Sequence, residues 1–306
     1  MKRYKDIVGD GGSNIVGQVQ AQQAHLERRL SGVRHLVAVV SGKGGVGKSS
    51  LCGALACCWA LDGWRVGVLD ADLNGPSMAK ILGVRGAQLT MTEEGVIPPQ
   101  TPLGVKVMSM DLLLPSDAAP LTWAAPTQQE AHTWRGITEA NAIREFLADT
   151  DWGALDVLVL DLPPGNDRLA TVVSLVSGHV STLIVTIPSD VSQLVVRRSL
   201  TAIRQAGARL LGLVENMADL FPGPDAKAMA REAEVAFLGR VPFDRALAAA
   251  ADQGRVFVTG SPESPAARAL VEIAGLIRTD LESHRETGDS TSGAAPEETT
   301  RGGPNP

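Results

Sequence analysis

Apolar runs that stop at polar or glycine-containing turns alternate with segments of helical spacing over most of this chain, which predicts strands and helices in turn. Strands are predicted at residues 36–40, 65–70, 105–108, 152–161, 181–187, 210–214 and 236–238. Helices are predicted at residues 51–61, 143–147, 191–205 and 262–281. The run ending at Asp161 is continuously apolar, as in strands buried on both faces of a parallel sheet. The alternation therefore indicates an α/β fold.

The two ends of the chain differ in composition from the middle. Residues 1–31 are polar with a glycine-rich break at residues 9–12, and they predict either a flexible arm or a short helix. From His284 onward the chain has almost no apolar residues, so it cannot bury a core and is predicted to be disordered. We therefore expect one domain over residues 32–282, followed by a tail over residues 283–306.

The overall composition is that of an ordinary globular protein, with 44% hydrophobic and 20% charged residues among 306. Aromatic residues make up only 4%, so the core must be aliphatic. The net charge of −6 argues against nonspecific nucleic-acid binding. The sequence has no apolar run that could span a bilayer, no signal-peptide core and no basic amphipathic anchor, which predicts a cytoplasmic protein.

Three cysteines, Cys52, Cys57 and Cys58, all lie in the predicted helix at residues 51–61. An odd number of cysteines on one helix is not a disulfide framework. We expect them to be small buried residues that pack this helix on the sheet.

The stretch SGKGGVGKSS at residues 41–50 connects a predicted strand to a predicted helix, which is the context of a phosphate-binding loop. Its glycines let successive N–H groups point at an anion, and the helix N-terminus adds to that field. Lys48 is expected to bridge the β- and γ-phosphates of ATP and Ser49 to bind Mg²⁺. The alternative is a glycine-rich turn without function. The predicted nucleotide-binding residues of this stretch are Gly42, Lys43, Gly44, Gly45, Val46, Gly47, Lys48, Ser49 and Ser50.

Carboxylates end two of the predicted strands, at the edge where an open α/β sheet binds its ligand. Asp70 is a candidate for outer-shell contact with Mg²⁺, and Asp72 for orienting the attacking water. Asp161 stands where it would hold the water shell of Mg²⁺. Residues 163–165, Pro-Pro-Gly, form a stiff turn whose following N–H groups are candidates for sensing the γ-phosphate. The alternatives are a capped turn after Asp70 and a proline stop after a buried strand.

Four further residues are candidates at lower specificity. Asn216 offers the donor and acceptor that an adenine edge requires, although Asn is also common at strand ends. Pro242 is a second candidate for nucleotide binding. Trp123 and Trp134 lie in a region that appears irregular from its Pro, Thr and Gln content. They either mark a partner interface or cover the edge of the core.

The motifs together resemble those of the Mrp-type nucleotide-binding proteins, the iron–sulfur cluster carrier ATPases within the ParA/MinD class. The elements that carry this resemblance are SGKGGVGKSS, LDADLNGPS, WRG at 134–136, WGALDVLVLDLPPG, VENM, LGRVPFD and SPES. The resemblance implies a SIMIBI-type P-loop NTPase with a mostly parallel, doubly wound sheet of seven or eight strands. It also implies an ATP-sandwich homodimer that hydrolyses ATP slowly.

The extra lysine of the loop, Lys43, gives the "deviant" Walker A pattern of that class. The resemblance implies that Lys43 reaches across the dimer interface to the partner's nucleotide, as an arginine finger does. The alternative is a solvated surface lysine. Lys43, Lys48 and Asp72 are therefore the predicted catalytic residues.

The chain departs from the family pattern in three places. The N-terminal domain often found in bacterial members is reduced here to residues 1–31. Family members usually carry a Cys-x-x-Cys after the ENM element, where two subunits share a [4Fe–4S] cluster. Residues 217–224 here read MADLFPGP and contain no cysteine, so the thiolates that such a cluster needs are missing. The usual PPGTGD is also one residue shorter here, PPGND.

Three cellular roles remain open at this point. The first is iron–sulfur cluster carriage or assembly. The second is a ParA/MinD-like positioning ATPase, for which Arg197, Arg198, Arg204 and Arg209 offer a local basic face. The third is a nucleotide-gated adaptor or chaperone for a dedicated protein partner.

Overall fold

The computed structural model describes residues 15–113, 128–165, 167–176 and 179–289. The strands in these ranges are β1 (Val33–Val40), β2 (Val66–Asp70), β3 (Thr90–Thr92), β4 (Gly95–Ile97), β5 (Lys106–Met108), β6 (Leu155–Asp161), β7 (Ser181–Thr186), β8 (Arg209–Ala218) and β9 (Phe237–Pro242). Seven of them form one sheet in the order β5-β2-β6-β1-β7-β8-β9, and β3 and β4 form a separate antiparallel hairpin.

Helices connect these strands in the described ranges. They are α1 (Ile15–Leu30), α2 (Lys48–Leu61), α3 (Met78–Ile81), α4 (Gln128–Asp149), α5 (Asp167–Leu175), α6 (Asp190–Ala206), α7 (Ala226–Glu232), α8 (Arg245–Asp252), α9 (Phe257–Gly260) and α10 (Pro265–Asp289), with a 3₁₀ turn at Met110–Leu113. No helix of the described ranges is both long enough and apolar enough to cross a bilayer.

All neighbouring pairs in the seven-stranded sheet are parallel. The predicted α/β fold with a mostly parallel sheet is confirmed, with seven strands. Pairing sets Val39 and Asp70 each beside Asp161. The loops that follow β1, β2 and β6 therefore leave the sheet at one edge, where parallel sheets build their sites.

Side chains on the two faces of the sheet enter two separate aliphatic cores, because alternate residues of a strand point to opposite sides. Val37 and Val39 of β1 pack with α2 and α10, whereas Leu36 and Ala38 pack with α4, α5 and α6. The three cysteines of α2 are buried, unpaired members of the first core, as predicted. Burial raises the pKa of Cys57 to about 11 and that of Cys58 to about 12, so both thiols stay protonated.

The two ends of the described chain are helical. Residues 15–30 form α1, the short helix that was one of the two alternatives for this segment. It packs on the domain, since Leu26 is fully buried and Arg29 Nε donates to the carbonyl of Ala148 over 3.1 Å. The domain boundary at residue 32 stays a prediction. The last helix, α10, continues to Asp289, beyond the predicted end at residue 281 and into the predicted tail. The buried residues of this helix include Leu281 near its end.

Residues 84–135 hold more regular structure than their composition suggests. The hairpin of β3 and β4 lies there, and Trp134 lies on α4 and not in an irregular segment. Trp123 lies outside the described residues. The interface or core role predicted for the two tryptophans stays a prediction.

A cluster of charged side chains joins the starts of the strands β1, β2 and β6. It predicts that the stability of the fold depends on pH. Asp156 accepts hydrogen bonds from Arg65 Nε at 3.0 Å and Arg65 Nη2 at 2.9 Å, and Arg34 Nη1 lies 2.8 Å away. The hydrogen bonds from Arg65 outweigh burial and lower the pKa of Asp156 to about 2.

We expect Asp156 to stabilise the fold only above its unfolded pKa. The folded pKa is depressed, so the stabilisation is complete above about pH 4 and disappears as the pH falls toward the folded value. Because both arginines are half exposed, Asp156→Asn should lower the free energy of unfolding by about 1–2 kcal/mol at pH 7. Urea unfolding at pH 7 and pH 3 checks this, and an equal difference at both pH values would contradict it.

Candidate active site

The phosphate loop runs from β1 into α2 with the backbone that its glycines permit. Gly45 has φ 78° and Gly47 has φ 74°, both in the left-handed region that disfavours other residues. A Cβ on Gly47 would also meet the Asn216 side chain. This geometry turns the loop directly into the first turn of α2, whose N–H groups and dipole favour an anion.

A cavity of about 520 Å³ opens over this loop. Most of the predicted phosphate-binding residues line it, together with Asp72. Residues of α3 and α8, which the motifs did not indicate, also line it. The full lining is Ser41, Gly44, Gly45, Val46, Gly47, Lys48, Ser49, Ser50, Asp72, Ser77, Lys80, Ile81, Pro164, Ala248, Ala251 and Asp252.

The first residues of α2 line the cavity and connect it to a buried carboxylate at the end of β6. Lys48, which is buried, donates to Asp161 Oδ1, and its Nζ lies 3.4 Å from Ser49 Oγ. The second oxygen, Asp161 Oδ2, is buried and has no hydrogen-bond partner within the described ranges. The carboxylate with this orphaned oxygen and the Ser49 hydroxyl both neighbour Lys48 Nζ, and hard oxygen donors of this kind suit Mg²⁺. Ser49 and Asp161 therefore fit the predicted metal role.

Asp70 has a different environment from the one expected of an outer-shell ligand. Its Oδ2 accepts from the N–H groups of Ser77 and Met78 at 2.8 and 2.9 Å and from Ser109 Oγ at 3.0 Å. It is fully buried, and burial together with the charge of Asp161 raises its pKa to about 7. Asp70 does not line the cavity. Its described contacts hold the loop after β2 in place, and its predicted Mg²⁺ contact stays a prediction.

Asp72 lies in that loop and lines the cavity. Its Oδ1 accepts from the N–H of Gly75 at 3.2 Å. Asn74 anchors this loop to α4, because its Nδ2 donates to Glu139 Oε1 at 2.9 Å. Glu139 is buried and also pairs with Arg168 of α5. The loop that carries Asp72 is thus tied to the segment that follows β6.

The Pro-Pro-Gly turn after β6 faces the phosphate loop. Pro164 lines the cavity, and the N–H of Gly165 donates to the carbonyl of Ser41 over 2.9 Å. The turn is therefore placed to contact the end of a triphosphate. The next residue, Asn166, lies outside the described residues, so the γ-phosphate sensor stays a prediction.

Lys43 lies at the surface of the phosphate loop. It is exposed, it does not line the cavity, and its side chain makes no hydrogen bond or ion pair with the described residues. Only its carbonyl is used, as acceptor for Ser41 Oγ at 3.0 Å. Gly42, which also does not line the cavity, packs against Val195 of α6.

Asn216 and Pro242 do not line the cavity either. Asn216 is buried, and its Nδ2 donates to the carbonyl of Val46 over 2.9 Å. This hydrogen bond holds the phosphate loop in place, and it could not be predicted from the position of Asn216 in the sequence. Pro242 ends β9 next to Ala218 of β8. Adenine recognition by these two residues stays a prediction.

The described residues hold no cysteine where a shared iron–sulfur cluster would need one. Residues 217–224 contain none, and Cys52, Cys57 and Cys58 are all buried in α2. No group of three or more His, Cys, Asp or Glu side chains in the described ranges is arranged to hold a metal ion. The cysteines present do not fit a thiolate-bound [4Fe–4S] cluster.

A parallel sheet with a glycine-rich phosphate loop, a buried lysine and a strand-end aspartate defines a P-loop NTPase. Residues 32–278 match the family model described as ParA, NUBPL iron-transfer P-loop NTPase. The chain belongs to this family, as its resemblance to Mrp-type proteins predicted.

Named relatives are similar over nearly the whole chain. The iron–sulfur cluster carrier protein of Saccharolobus solfataricus is 39% identical over 280 residues, covering 88% of this chain and 91% of the relative. The bovine cytosolic Fe-S cluster assembly factor NUBP2 is 38% identical over 267 residues, covering 82% and 94%.

Solved structures agree with the fold. A nucleotide-binding protein from Archaeoglobus fulgidus in complex with ADP is 33% identical, with a TM-score of 0.65 over 80% of this chain and 95% of its own. The cell division ATPase MinD of Pyrococcus furiosus is 21% identical with a TM-score of 0.58, covering 80% and 99%, which supports the fold alone.

Proposed function

We propose that this chain is a Mg²⁺-dependent ATPase that works as a homodimeric switch in iron–sulfur cluster carriage or assembly. One observation carries the proposal. Lys48 and Ser49 line the cavity above the phosphate loop, and Lys48 pairs with the buried Asp161 at the end of β6, while Lys43 of the same loop is exposed and has no partner in the described ranges. The two lysines of one loop therefore have different surroundings, and we assign them to two different triphosphates.

The residues of one chain bind and orient ATP in this proposal. The loop N–H groups and the α2 dipole hold the phosphates, and Lys48 exchanges Asp161 for the β- and γ-phosphate oxygens. Ser49 and Asp161 would hold Mg²⁺, which supplies charge neutralisation on the phosphates when bound. Asp72 orients the attacking water, and Glu139 keeps the Asp72 loop in place through Asn74.

A second copy completes the site. Its Lys43 neutralises the charge that develops on the transferred phosphoryl group, which is the role of an arginine finger supplied in trans. Hydrolysis converts each ATP to ADP and releases the γ-phosphate that the second copy contacts, so the pair opens and shows a different surface to a protein partner.

The cellular role follows the relatives. Proteins named as iron–sulfur cluster carrier and cluster assembly factor match most of this chain, which supports carriage or assembly. Because the cysteines here do not fit a cluster, we propose that the ATPase cycle acts on a protein partner or client. A DNA-positioning role is less well supported, because Arg197 pairs with Glu232, Arg204 with the Ala233 carbonyl and Arg209 with Asp280.

Phosphate release from Mg-ATP tests the proposal. The wild-type chain should hydrolyse ATP slowly, and Asp72→Asn should reduce turnover by about a hundredfold, because it removes the group that positions water. Nucleotide affinity, measured with a fluorescent ATP analogue, should change little. Wild-type protein that binds but never hydrolyses ATP would refute the ATPase assignment, and an active Asp72→Asn variant would refute the role of Asp72.

A further inference from the structure

Two cavities adjoin each other at the edge of the sheet opposite the phosphate loop. One, of about 320 Å³, lies between α1, β1 and the end of α5. The other, of about 310 Å³, lies across the starts of β1, β7 and β8 and beside α10. Arg34, Leu36 and His179 line both of them. Each volume falls within the range of roughly 300–1,000 Å³ that small-molecule pockets occupy.

The first cavity, which we call the apolar cavity, has walls of aliphatic side chains. They are Leu26, Leu30, Val33, Leu36, Leu175 and Val176, of which four are buried and two half-buried. Among the described residues its lining includes one carboxylate, the exposed Glu27, which accepts from Gln23 Nε2 at 3.0 Å. Aliphatic walls give an alkyl group apolar surface and dispersion contacts, so this cavity suits the apolar part of a ligand.

The second cavity, which we call the basic cavity, is lined by cationic and imidazole side chains. They are Arg34, His35, His179, Arg209 and His284. No carboxylate of the described ranges belongs to its lining. Guanidinium and imidazole groups both offer N–H donors, so this cavity suits an oxyanion.

Neighbouring carboxylates hold the two guanidinium groups in position without using all of their donors. Arg34 Nη1 lies 2.8 Å from Asp156 Oδ1, and Arg65 shares the same carboxylate, so two cations face one anion. Arg209 Nη2 donates to Asp280 Oδ2 over 2.6 Å. A guanidinium has five N–H donors in a fixed fork, so both arginines keep donors for a carboxylate or a phosphate group.

We propose that the two cavities together bind a small amphiphilic anion. Its alkyl or acyl chain, of medium length, occupies the apolar cavity, and its carboxylate or phosphate head occupies the basic cavity. Arg34 and His179 line both cavities and therefore lie where chain and head join. A ligand with only one of these two parts would match only one of the two cavities.

This site is separate from the nucleotide cavity. Strand β1 runs from Val33 at this edge to Val40 at the phosphate loop, and an extended strand of that length spans about 23 Å. None of the described residues lines both the nucleotide cavity and either of these two. The inference therefore does not rest on the proposed ATPase function.

Isothermal titration calorimetry of the full chain with octanoate, in a buffer without phosphate, tests the ligand class. Octanoate should show saturable binding of one molecule per chain. We expect 1-octanol to bind at least about tenfold more weakly, because it lacks the charge that the arginines pair with. Acetate should show no saturable binding, because it lacks the chain. Octyl phosphate in place of octanoate shows which of the two heads binds more tightly.

Variants of each cavity test the location. Arg209→Gln should weaken octanoate binding at least about tenfold and change 1-octanol binding little, because it removes only the charge. Leu30→Trp puts an indole into the apolar cavity and should weaken the binding of both ligands. Arg198→Gln, at an exposed arginine of α6, is the matched control and should bind octanoate as the wild type does.

One further variant keeps the test valid if Arg209→Gln fails to fold. The exposed His179 side chain makes no hydrogen bond or ion pair with the described residues, so His179→Ala removes no contact of the fold. It should weaken octanoate binding at least about threefold, because one N–H donor is lost. Thermal unfolding of each variant checks that the fold is kept.

The possible outcomes separate clearly. Octanoate binding that the basic-cavity and apolar-cavity variants both weaken, with the Arg198→Gln control unchanged, supports the assignment. No saturable binding of octanoate or octyl phosphate overturns it, as does 1-octanol or acetate binding of equal strength. Displacement of octanoate by a slowly hydrolysed ATP analogue with Mg²⁺ also overturns it, because the ligand would then lie in the nucleotide cavity.

Discussion

Replacing Lys43 with alanine is expected to lower ATP turnover by about 10³-fold, the lower end of the effect of a cation supplied in trans. Binding of a fluorescent ATP analogue should change only a few-fold. Lys43 does not line the cavity, and its side chain makes no contact with the described residues that alanine would remove. The loop itself is held by the Lys43 carbonyl, which alanine keeps. Lys227→Ala, at another exposed lysine, serves as the control for a general loss of positive charge.

Mixing two inactive variants shows whether Lys43 acts in trans. In a dimer of one Lys43→Ala chain and one Asp72→Asn chain, one of the two sites has Asp72 of its own chain and Lys43 of the other. An equimolar mixture should therefore recover about a quarter of wild-type turnover, since half of the pairs are mixed and each has one complete site. No recovery in a mixture that does form dimers would show that Lys43 acts within its own chain.

The structure could be predicted best where the residues that determine it are consecutive in the sequence. The strand, loop and helix around residues 41–50 could be predicted, because glycines, lysine and serine at fixed spacing determine the backbone and the charge of the loop. The buried strand before Asp161 was equally clear, since only a strand covered on both faces is apolar at every position. The burial of the three cysteines, Cys52, Cys57 and Cys58, could also be predicted, because a helix that packs on a sheet needs small apolar residues on the face that it buries.

Long-range contacts could not be predicted from local pattern. Glu139 supports the Asp72 loop through Asn74, although the two residues are far apart in sequence and each alone looks like a surface residue. The alanine-rich helix α8 lines the cavity, but nothing in its composition indicates what it packs against. Asn216 has the hydrogen-bonding groups that adenine recognition needs, yet its amide donates to the Val46 carbonyl of the phosphate loop. Such roles depend on topology, which brings distant segments to one edge of the sheet.

The residues at which strands and helices end were also hard to predict from the sequence. β8 continues through Glu215 and Asn216 to Ala218, well beyond the apolar run that predicted it. Glu215 is tolerated inside the strand because it accepts hydrogen bonds from Arg240 Nε at 2.7 Å and the Ala226 N–H at 2.9 Å. A charged residue usually indicates the end of a buried strand, but a carboxylate with two hydrogen-bond donors can be buried within one. The two donors to Glu215 could not be identified from the sequence.

Removing Lys48 is expected to abolish turnover and to destabilise the nucleotide-free fold. Lys48 and Asp161 are both buried and are paired with each other, and Asp70 lies close by in the same interior. Lys48→Met leaves the Asp161 charge without its cation, which should lower the free energy of unfolding by about 3–5 kcal/mol. Urea unfolding without nucleotide measures this loss, and the fluorescent analogue should show that ATP binding is lost as well.

A double-variant cycle separates the ion pair from a general packing defect. Asp161→Asn alone leaves Lys48 buried without its partner, so it too should be destabilising. When Lys48→Met and Asp161→Asn are combined, neither charge remains, and the stability should return to within about 1–2 kcal/mol of the wild type. Additive losses in the double variant would mean that the two side chains contribute separately and that their pairing is not what stabilises the empty site. ATP binding should stay lost in the double variant in either case, because the phosphates need Lys48 itself, whichever group balances it before the nucleotide arrives.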